Sequence, residues 1–322
     1  MAGFILVPVN TMTAAISINN VKKSYGSLKA LKGVDLTINR GEFFGLLGPN
    51  GAGKSTLINI IAGLANADSG SVSVLGHDVV GDYRQARHAL GVVPQELVFD
   101  AFFSVREVLQ IQSGYFGLGK SNGAWIDELL DALALTGKAD ANMRALSGGM
   151  KRRVLIAQAL VHQPEVVILD EPTAGVDVEL RKLLWDFVAQ LNKKGHTIVL
   201  TTHYLEEAEK LCDRIAILNH GEVIALDTKA SLLQSEICNT LHLLIKTAEP
   251  IEQLPESLAP AIREKVKYLD GCQVRLELHK DKDSIVDVLA AISAAGIKVI
   301  DLETERADLE DVFVELTSKA SS

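Results

Sequence analysis

The stretch GPNGAGKST, residues 48–56, decides the fold expected for this chain of 322 residues. It follows the apolar run EFFGLL and leads into STLINIIAGL, an amphipathic helical pattern. The pattern GxxxxGK[ST] between a strand and a helix is typical of a loop that binds phosphate groups. Its glycines let backbone N–H groups from Asn50 to Lys54 converge on phosphate oxygens, while Lys54 adds a positive charge and Ser55 offers a hydroxyl to Mg²⁺. We therefore expect a phosphate site here.

Short strands and helices alternate on both sides of that loop. VVILDE (166–171) and TIVLTTH (197–203) are β-branched runs separated by helical sequence, a pattern that indicates parallel strands with helical crossovers. Two earlier segments, 16–23 and 34–38, alternate apolar and polar residues as half-buried strands do. The expected fold class is α/β, a P-loop NTPase domain with a mixed sheet.

The pattern along the chain divides it into parts. Residues 1–13 are expected to form a loose N-terminal extension, and residues 14–233 a nucleotide-binding domain. Within that domain, residues of about 101–162 are rich in helix formers and predict an inserted helical subdomain. Residues 234–322 restart the pattern with alternating apolar residues, a hairpin with an Asp270-Gly271 turn, and two amphipathic helices. This small C-terminal α+β domain contains no evident catalytic group.

Composition excludes several classes of function. The net charge of -9 and the pI near 5.4 argue against broad electrostatic binding to nucleic acid or to anionic lipid. Cys212, Cys238 and Cys272 are widely spaced and form no CxxC pair, so neither a disulfide framework nor a metal site is expected. No apolar run approaches the roughly 20 residues needed to cross a bilayer.

Polar residues stand where the predicted strands end. Asp170 and Glu171 close one strand, and we expect Asp170 to serve Mg²⁺ while Glu171, sent the other way by strand alternation, polarises the attacking water as a general base. His203 ends another strand and is expected at the same edge, aimed at the γ-phosphate. Gln95 follows a strand that leads into the helical insert. The simpler alternatives are a helix-capping acidic pair, a structural histidine and a surface glutamine.

These motifs occur in an order that resembles the nucleotide-binding subunit of ATP-binding-cassette (ABC) transporters over residues of about 14–230. The motifs are an aromatic A-loop residue (Tyr25), Walker A (48–55), a Q-loop glutamine (Gln95), the signature LSGGM (146–150), Walker B with its glutamate (168–171), the D-loop AGVD (174–177) and an H-loop histidine (His203). The resemblance implies that ATP is contacted by Tyr25, Gly48, Pro49, Asn50, Gly51, Ala52, Gly53, Lys54, Ser55, Thr56, Gln95, Ser147, Gly148, Gly149, Asp170, Glu171, Asp177 and His203. It implies catalytic roles for Lys54, Gln95, Glu171 and His203, and Mg²⁺ contacts for Ser55, Gln95 and Asp170.

The resemblance also accounts for a second glycine-rich helix start, LSGGM, residues 146–150. In the family this element contacts the γ-phosphate held by the other subunit, so it implies a homodimer with composite ATP sites in which Asp177 links the two sites. By itself the motif also predicts a helix capped by Ser147, whose first N–H groups favour an anion. Met150 stands where the family usually has glutamine, which removes one polar contact.

The C-terminal sequence ADLEDVFVELT, residues 307–317, resembles the ending of ATPases that serve ABC-2-type exporters, the drug-resistance and YadG-like class. The resemblance implies a Mg²⁺-dependent ATPase at the cytoplasmic face of the cell membrane that drives a separate ABC-2-type permease. Two alternatives stay open at this stage: a soluble ABC ATPase acting on ribosomes or nucleic acid, and the ATPase of an importer. A binding module without catalysis is disfavoured because Glu171 and His203 are both present.

Overall fold

A computed structural model describes residues 14–233, 240–251, 253–279, 282–306 and 308–319. The expected N-terminal extension, residues 1–13, and Cys238 lie outside these residues. The chain divides into two compact units, Met1–Asp227 and Thr228–Ser322.

The first unit contains all the motifs of the sequence. Its strands and helices run in the order β1 Ala14–Tyr25, β2 Leu28–Asn39, β3 Phe43–Leu47, α1 Lys54–Ile61, β4 Ser69–Val74, β5 His77–Asp78, α2 Tyr83–His88, β6 Leu90–Val93, α3 Val105–Tyr115, α4 Gly123–Ala132, α5 Gly148–Leu160, β7 Val166–Asp170, α6 Val178–Lys193, β8 Thr197–Thr201, α7 Leu205–Leu211, β9 Arg214–Asn219 and β10 Glu222–Thr228.

The alternating segments near the N-terminus form a sheet of their own. Its four strands lie in the order β2-β1-β4-β5 and pair antiparallel throughout. Ile16 pairs with Ile38 and Ile18 with Leu36, so the apolar residues of β1 and β2 share one buried face.

The second sheet of this unit positions the site. It has the order β10-β9-β3-β8-β7-β6, and strands β3, β6, β7, β8 and β9 are parallel. Every residue of β3, β7 and β8 is buried, which explains why these strands have continuous apolar sequence rather than alternation. The carboxyl ends of parallel strands meet at one edge, so the segments after β3, β7 and β8 converge there. The predicted α/β P-loop fold is confirmed.

Residues 101–162 form the helices α3, α4 and α5, short 3-10 turns and a single isolated bridge, without a regular strand. Helix α3 begins with a full capping box, in which the Ser104 hydroxyl accepts from Glu107 N–H and the Glu107 carboxylate accepts from Ser104 N–H. None of the helices in the described part of the chain has the length and hydropathy that a membrane span requires.

The second unit is an α+β fold with its own apolar core. Its elements are α8 Lys229–Leu233, β11 Thr240–Thr247, α9 Pro260–Arg263, β12 Val266–Asp270, β13 Gln273–His279, α10 Ile285–Ala294, β14 Val299–Arg306 and α11 Leu309–Lys319, and its sheet has the order β12-β13-β11-β14. Helix α8 belongs to this unit because Leu233 packs against Val312 of α11. The β12–β13 turn is shifted by one residue from the expected position: Asp270 pairs with Gln273, which leaves Gly271 and Cys272 as the loop.

Candidate functional site

The loop between β3 and α1 has the tight backbone that its glycines predict. A Cβ atom on Gly48 would lie 2.2 Å from the Leu218 carbonyl oxygen. Gly53 has φ of 109° and precedes α1 without a side-chain cap, so the first N–H groups of that helix receive no capping side chain. Uncapped N–H groups at a helix start favour an anion.

Lys54 is held inside this loop. Its ammonium donates to the carbonyl oxygens of Gly48, at 2.6 Å, and Pro49, at 3.1 Å, and the side chain is buried. Burial lowers the pKa of Lys54, while the negative charges of Glu171 and Asp170 oppose that shift. Those opposing charges indicate that the lysine and the two carboxylates belong to one electrostatic site.

The two carboxylates after β7 have different environments. Asp170 is buried and accepts a hydrogen bond from the Thr201 hydroxyl of β8. Burial raises the pKa of Asp170, the hydrogen bond from Thr201 lowers it, and the Glu171 charge raises it. Glu171 has a left-handed backbone, with φ of 48°, and its N–H donates to both the carbonyl and the hydroxyl oxygen of Thr201. Glu171 lies after the end of β7 in this left-handed turn, so the strand alternation we expected does not extend to it.

Three of the predicted site residues meet at one atom, Glu171 Oε2. Gln95 Nε2 donates to it at 3.0 Å, and His203 Nδ1 lies 3.3 Å from it. The Glu171 side chain is 12% exposed, whereas His203 is 49% exposed. A nearly enclosed carboxylate held between an amide and an imidazole can accept a proton from a bound water molecule.

The LSGGM motif and the D-loop lie together elsewhere on the first unit. Ser147 caps α5 by accepting from Met150 N–H at 3.3 Å, and Asp177 caps α6 by accepting from Leu180 N–H at 2.8 Å. Ser147, Gly149 and Asp177 line the same open pocket of about 390 Å³, whose lining contains no residue of the phosphate loop. Gly148 is exposed at the start of α5. Tyr25 ends β1 and is 51% exposed, with the Lys23 ammonium 5.4 Å from its ring centroid.

Two residues that the sequence analysis did not select join the site. Thr201 contacts both Asp170 and the backbone of Glu171. Its position at the end of the strand that leads to His203 is the sequence feature that could have predicted this role. Arg152 is 4% exposed and donates to the carbonyl oxygens of Pro94 and Gln95. Its signal was helical spacing, because it lies four residues before the buried Ile156 on α5.

The fold and this site define a nucleotide-binding P-loop protein, and comparison with known proteins gives its family. The family described as ABC transporter matches residues 31–174. The chain is 37% identical to the linearmycin resistance ATP-binding protein LnrL of Bacillus subtilis (strain 168), over 94% of this chain and 98% of that protein. It is 38% identical to the Nod factor export ATP-binding protein I of Rhizobium sp. (strain N33), over 95% of this chain and 97% of that protein.

A solved structure of a dimeric ATP-binding cassette in a post-hydrolysis state, bound to ADP and Pi, is also similar. It has a TM-score of 0.59 and 29% identity, and the match covers 66% of this chain and 98% of that chain. The chain therefore belongs to the family of ABC transporter ATP-binding proteins. It binds ATP and is an ATPase, as the resemblance in its motifs implied.

Proposed function

We propose that the chain is the Mg²⁺-dependent ATPase of an ABC-2-type exporter, with Glu171 as the general base of ATP hydrolysis. The observation that carries this proposal is the carboxylate of Glu171, which Gln95 and His203 contact at a single oxygen beside the phosphate loop's Lys54 and the buried Asp170. The strained backbone at Glu171 supports it further, because left-handed backbone in a non-glycine residue clusters at functional sites.

The residues present fit a magnesium ion that arrives with the nucleotide. Mg²⁺ is usually bound through one or two carboxylates completed by substrate phosphates. Among the described residues no group of three His, Cys, Asp or Glu side chains could hold a metal by itself. Asp170 supplies one buried carboxylate, and Ser55 and Gln95 would add neutral oxygens. The ion supplies charge neutralisation at the transferring phosphate. The protein's part is to hold Asp170 through the Thr201 hydroxyl and to position Glu171 through Gln95 and His203.

The remaining site residues are assigned to binding and assembly. Tyr25 would stack on adenine, and the loop from Gly48 to Thr56 would hold the phosphates. Ser147, Gly148 and Gly149 would contact the γ-phosphate of a partner chain, with Asp177 between the two sites. The exposure of Gly148 and of the Ser147 cap at the start of α5 supports this arrangement, because an interface between chains must be accessible in one chain.

We assign the chain to a homodimer that closes on two ATP molecules, opens after hydrolysis and drives a separate integral membrane permease at the cytoplasmic face of the cell membrane. The relatives named for export and for resistance, which match nearly the whole chain, favour export over import and over a soluble role on ribosomes or nucleic acid. Residues 14–233 would perform the ATPase work, and residues 234–322 would form an accessory domain.

The test compares Glu171→Gln with Lys54→Ala. Glu171→Gln should keep ATP affinity and reduce turnover by roughly 10² to 10⁴, leaving a nucleotide-trapped dimer, because only the base is lost. Lys54→Ala should weaken ATP binding itself, since it removes the charge inside the phosphate loop. ATP affinity, turnover and ATP-dependent dimerisation are measured for both. A Glu171→Gln variant that hydrolyses ATP at the wild-type rate would contradict the proposal.

A further inference from the structure

We propose that Arg152 is a positioning residue: it holds the start of the Q-loop and thereby ties the helix that begins at LSGGM to the carboxylate of Glu171. The inference rests on the proposed roles of Gln95 and Glu171. It adds a residue that joins two motifs otherwise separated in the sequence.

The Arg152 guanidinium makes two short hydrogen bonds to consecutive backbone carbonyls. One terminal N–H group donates to the Pro94 oxygen at 2.6 Å and the other to the Gln95 oxygen at 2.7 Å. Both bonds are charge-assisted, and the planar guanidinium fixes their direction. The side chain is 4% exposed, so water does not compete for these contacts.

The residues that Arg152 holds receive little other support. Strand β6 ends at Val93, and residues 94–100 form neither helix nor strand. The Gln95 side chain nevertheless has to reach Glu171 Oε2, at 3.0 Å. Arg152 therefore fixes the backbone of the residue whose side chain contacts the candidate base.

The buried charge of Arg152 is compensated by the backbone that it holds. Burying a charged group is costly unless it is paired or hydrogen-bonded, and the carbonyl oxygens of Pro94 and Gln95 are its partners. The neighbouring Arg153 shows the contrast, because its guanidinium donates to the Leu133 and Ala134 carbonyls just after α4, inside the helical subdomain. Arg153 thus anchors α5 to the helical subdomain, whereas Arg152 anchors α5 to the segment after β6 that carries Gln95.

The consequence is a continuous set of contacts from the signature helix to the base. Helix α5 begins at Gly148, carries Arg152 in its second turn, and through Arg152 holds Gln95 against Glu171. Displacement of α5 relative to the sheet would move the Gln95 amide. ATP turnover should depend on Arg152 although this side chain contacts neither the phosphate loop nor Glu171 directly.

The experiment measures the turnover number, the KM for ATP and the thermal unfolding midpoint of the full chain for Arg152→Met, Arg152→Lys and Gln95→Ala. Arg152→Met should lower kcat about tenfold or more and leave KM within about twofold, since misplacing a positioned group costs turnover rather than ATP binding. Arg152→Lys should recover part of kcat, because its ammonium keeps one charged donor.

Arg214→Met is the matched control. Arg214 also donates to a backbone carbonyl, that of Thr37, and pairs with the buried Glu42, but it contacts none of the site residues. This variant should lower the unfolding midpoint and keep kcat near the wild-type value. A loss of kcat that follows only the loss of stability in both variants would overturn the proposal.

A double variant decides whether Arg152 acts through Gln95. If it does, Arg152→Met with Gln95→Ala should be no slower than the slower single variant, because the second change removes an effect already lost. Multiplying losses in kcat, or a wild-type kcat for Arg152→Met, would contradict the inference. If Arg152→Met does not fold, Arg152→Lys takes its place in the same cycle. An active Glu171→Gln variant would instead show that the proposed base is wrong.

Discussion

The two adjacent glycines of LSGGM have different surroundings. A Cβ atom on Gly149 would lie 2.5 Å from the Leu180 side chain, whereas one on Gly148 would meet nothing within 4 Å. Packing within the same chain therefore explains why residue 149 is glycine. Packing within the chain does not explain the glycine at position 148, as expected if the space beside it is filled by a partner's nucleotide.

Alanine substitutions should separate these two reasons. Gly148→Ala should leave thermal stability unchanged or slightly higher, because alanine favours helix, and should weaken ATP-dependent dimerisation. Gly149→Ala should lower stability by about 1 to 3 kcal/mol, the usual cost of overpacking, unless Leu180 moves aside. Unfolding midpoints and ATP-dependent elution on size exclusion measure both effects. Unchanged dimerisation of Gly148→Ala would remove the argument for a partner at this position.

His162 is a half-buried base that should make stability depend on pH. Its ring stacks on Phe116 at 3.7 Å between centroids, and its Nε2 lies 3.0 Å from the Leu90 carbonyl oxygen. Burial lowers its pKa to about 4; the Leu90 contact opposes the shift and the charge of His88 adds to it. As the pH falls, His162 is therefore protonated near pH 6.5 in the unfolded chain but only near pH 4 in the folded chain.

The contribution of His162 to the free energy of unfolding should be fully present at neutral pH. It should fall by about 2 kcal/mol as the pH drops from about 6.5 towards 4. His162→Gln can keep a donor to Leu90 but cannot take up the proton. Urea unfolding at about pH 7 and about pH 4.5 should therefore show a smaller loss in the variant than in the wild type. Equal losses in the two proteins would mean that His162 does not control this dependence.

At the level of the elements, the start of helix α6 is capped by Asp177, which also has a proposed interface role. The carboxylate accepts from Leu180 N–H, and asparagine can replace it as a cap whereas alanine cannot. Asp177→Ala should lower the free energy of unfolding by about 1 kcal/mol and also reduce ATPase activity. Asp177→Asn should keep stability and still reduce activity, if the carboxylate acts between the two sites. Wild-type ATPase activity in Asp177→Asn would leave capping as the only role.

Across the whole molecule, the position of the division between the units predicts how the chain can be shortened. Every candidate site residue precedes Asp227, and the second unit has a core of its own. A protein ending at Thr228 should fold and hydrolyse ATP, because it keeps β10 and removes α8 together with its partner α11. Ending at Leu233 would leave α8 without that partner, so we expect lower solubility of the longer form. Unfolding of the form that ends at Thr228 would contradict the two-domain proposal.

The composite site can be tested by the arrangement of two lesions in a dimer. With Lys54→Ala in one chain and Ser147→Arg in the other, both lesions fall in one shared site and the second site stays intact. With both in one chain beside a wild-type partner, each site carries a lesion. Tagged heterodimers of the first kind should trap more nucleotide, and trapping is measured because turnover could require both sites. Equal trapping would mean that LSGGM serves only its own chain.

Much of the fold was predictable because it is encoded locally. The buried strands β3, β7 and β8 are continuous apolar runs, and the glycines of residues 48–56 require a tight loop wherever that segment lies. The convergence of Glu171 and His203 followed from one rule, that the carboxyl ends of parallel strands meet at one edge. The restart of the apolar pattern predicts a second domain from residue 234, whereas the compact units of the structure divide after Asp227.

The contacts that make the site specific came only from the tertiary structure. Gln95 meets Glu171 across 76 residues, and Arg152 meets Gln95 across 57. Thr201 bonds to both Asp170 and Glu171 because the register of β7 and β8 places Thr201 opposite Asp170. Hydrophobic periodicity records which face of an element is buried, and so it determines the elements and their layers. Which polar atom lies opposite which depends on strand register and on how helices pack, and no local pattern in the chain encodes that.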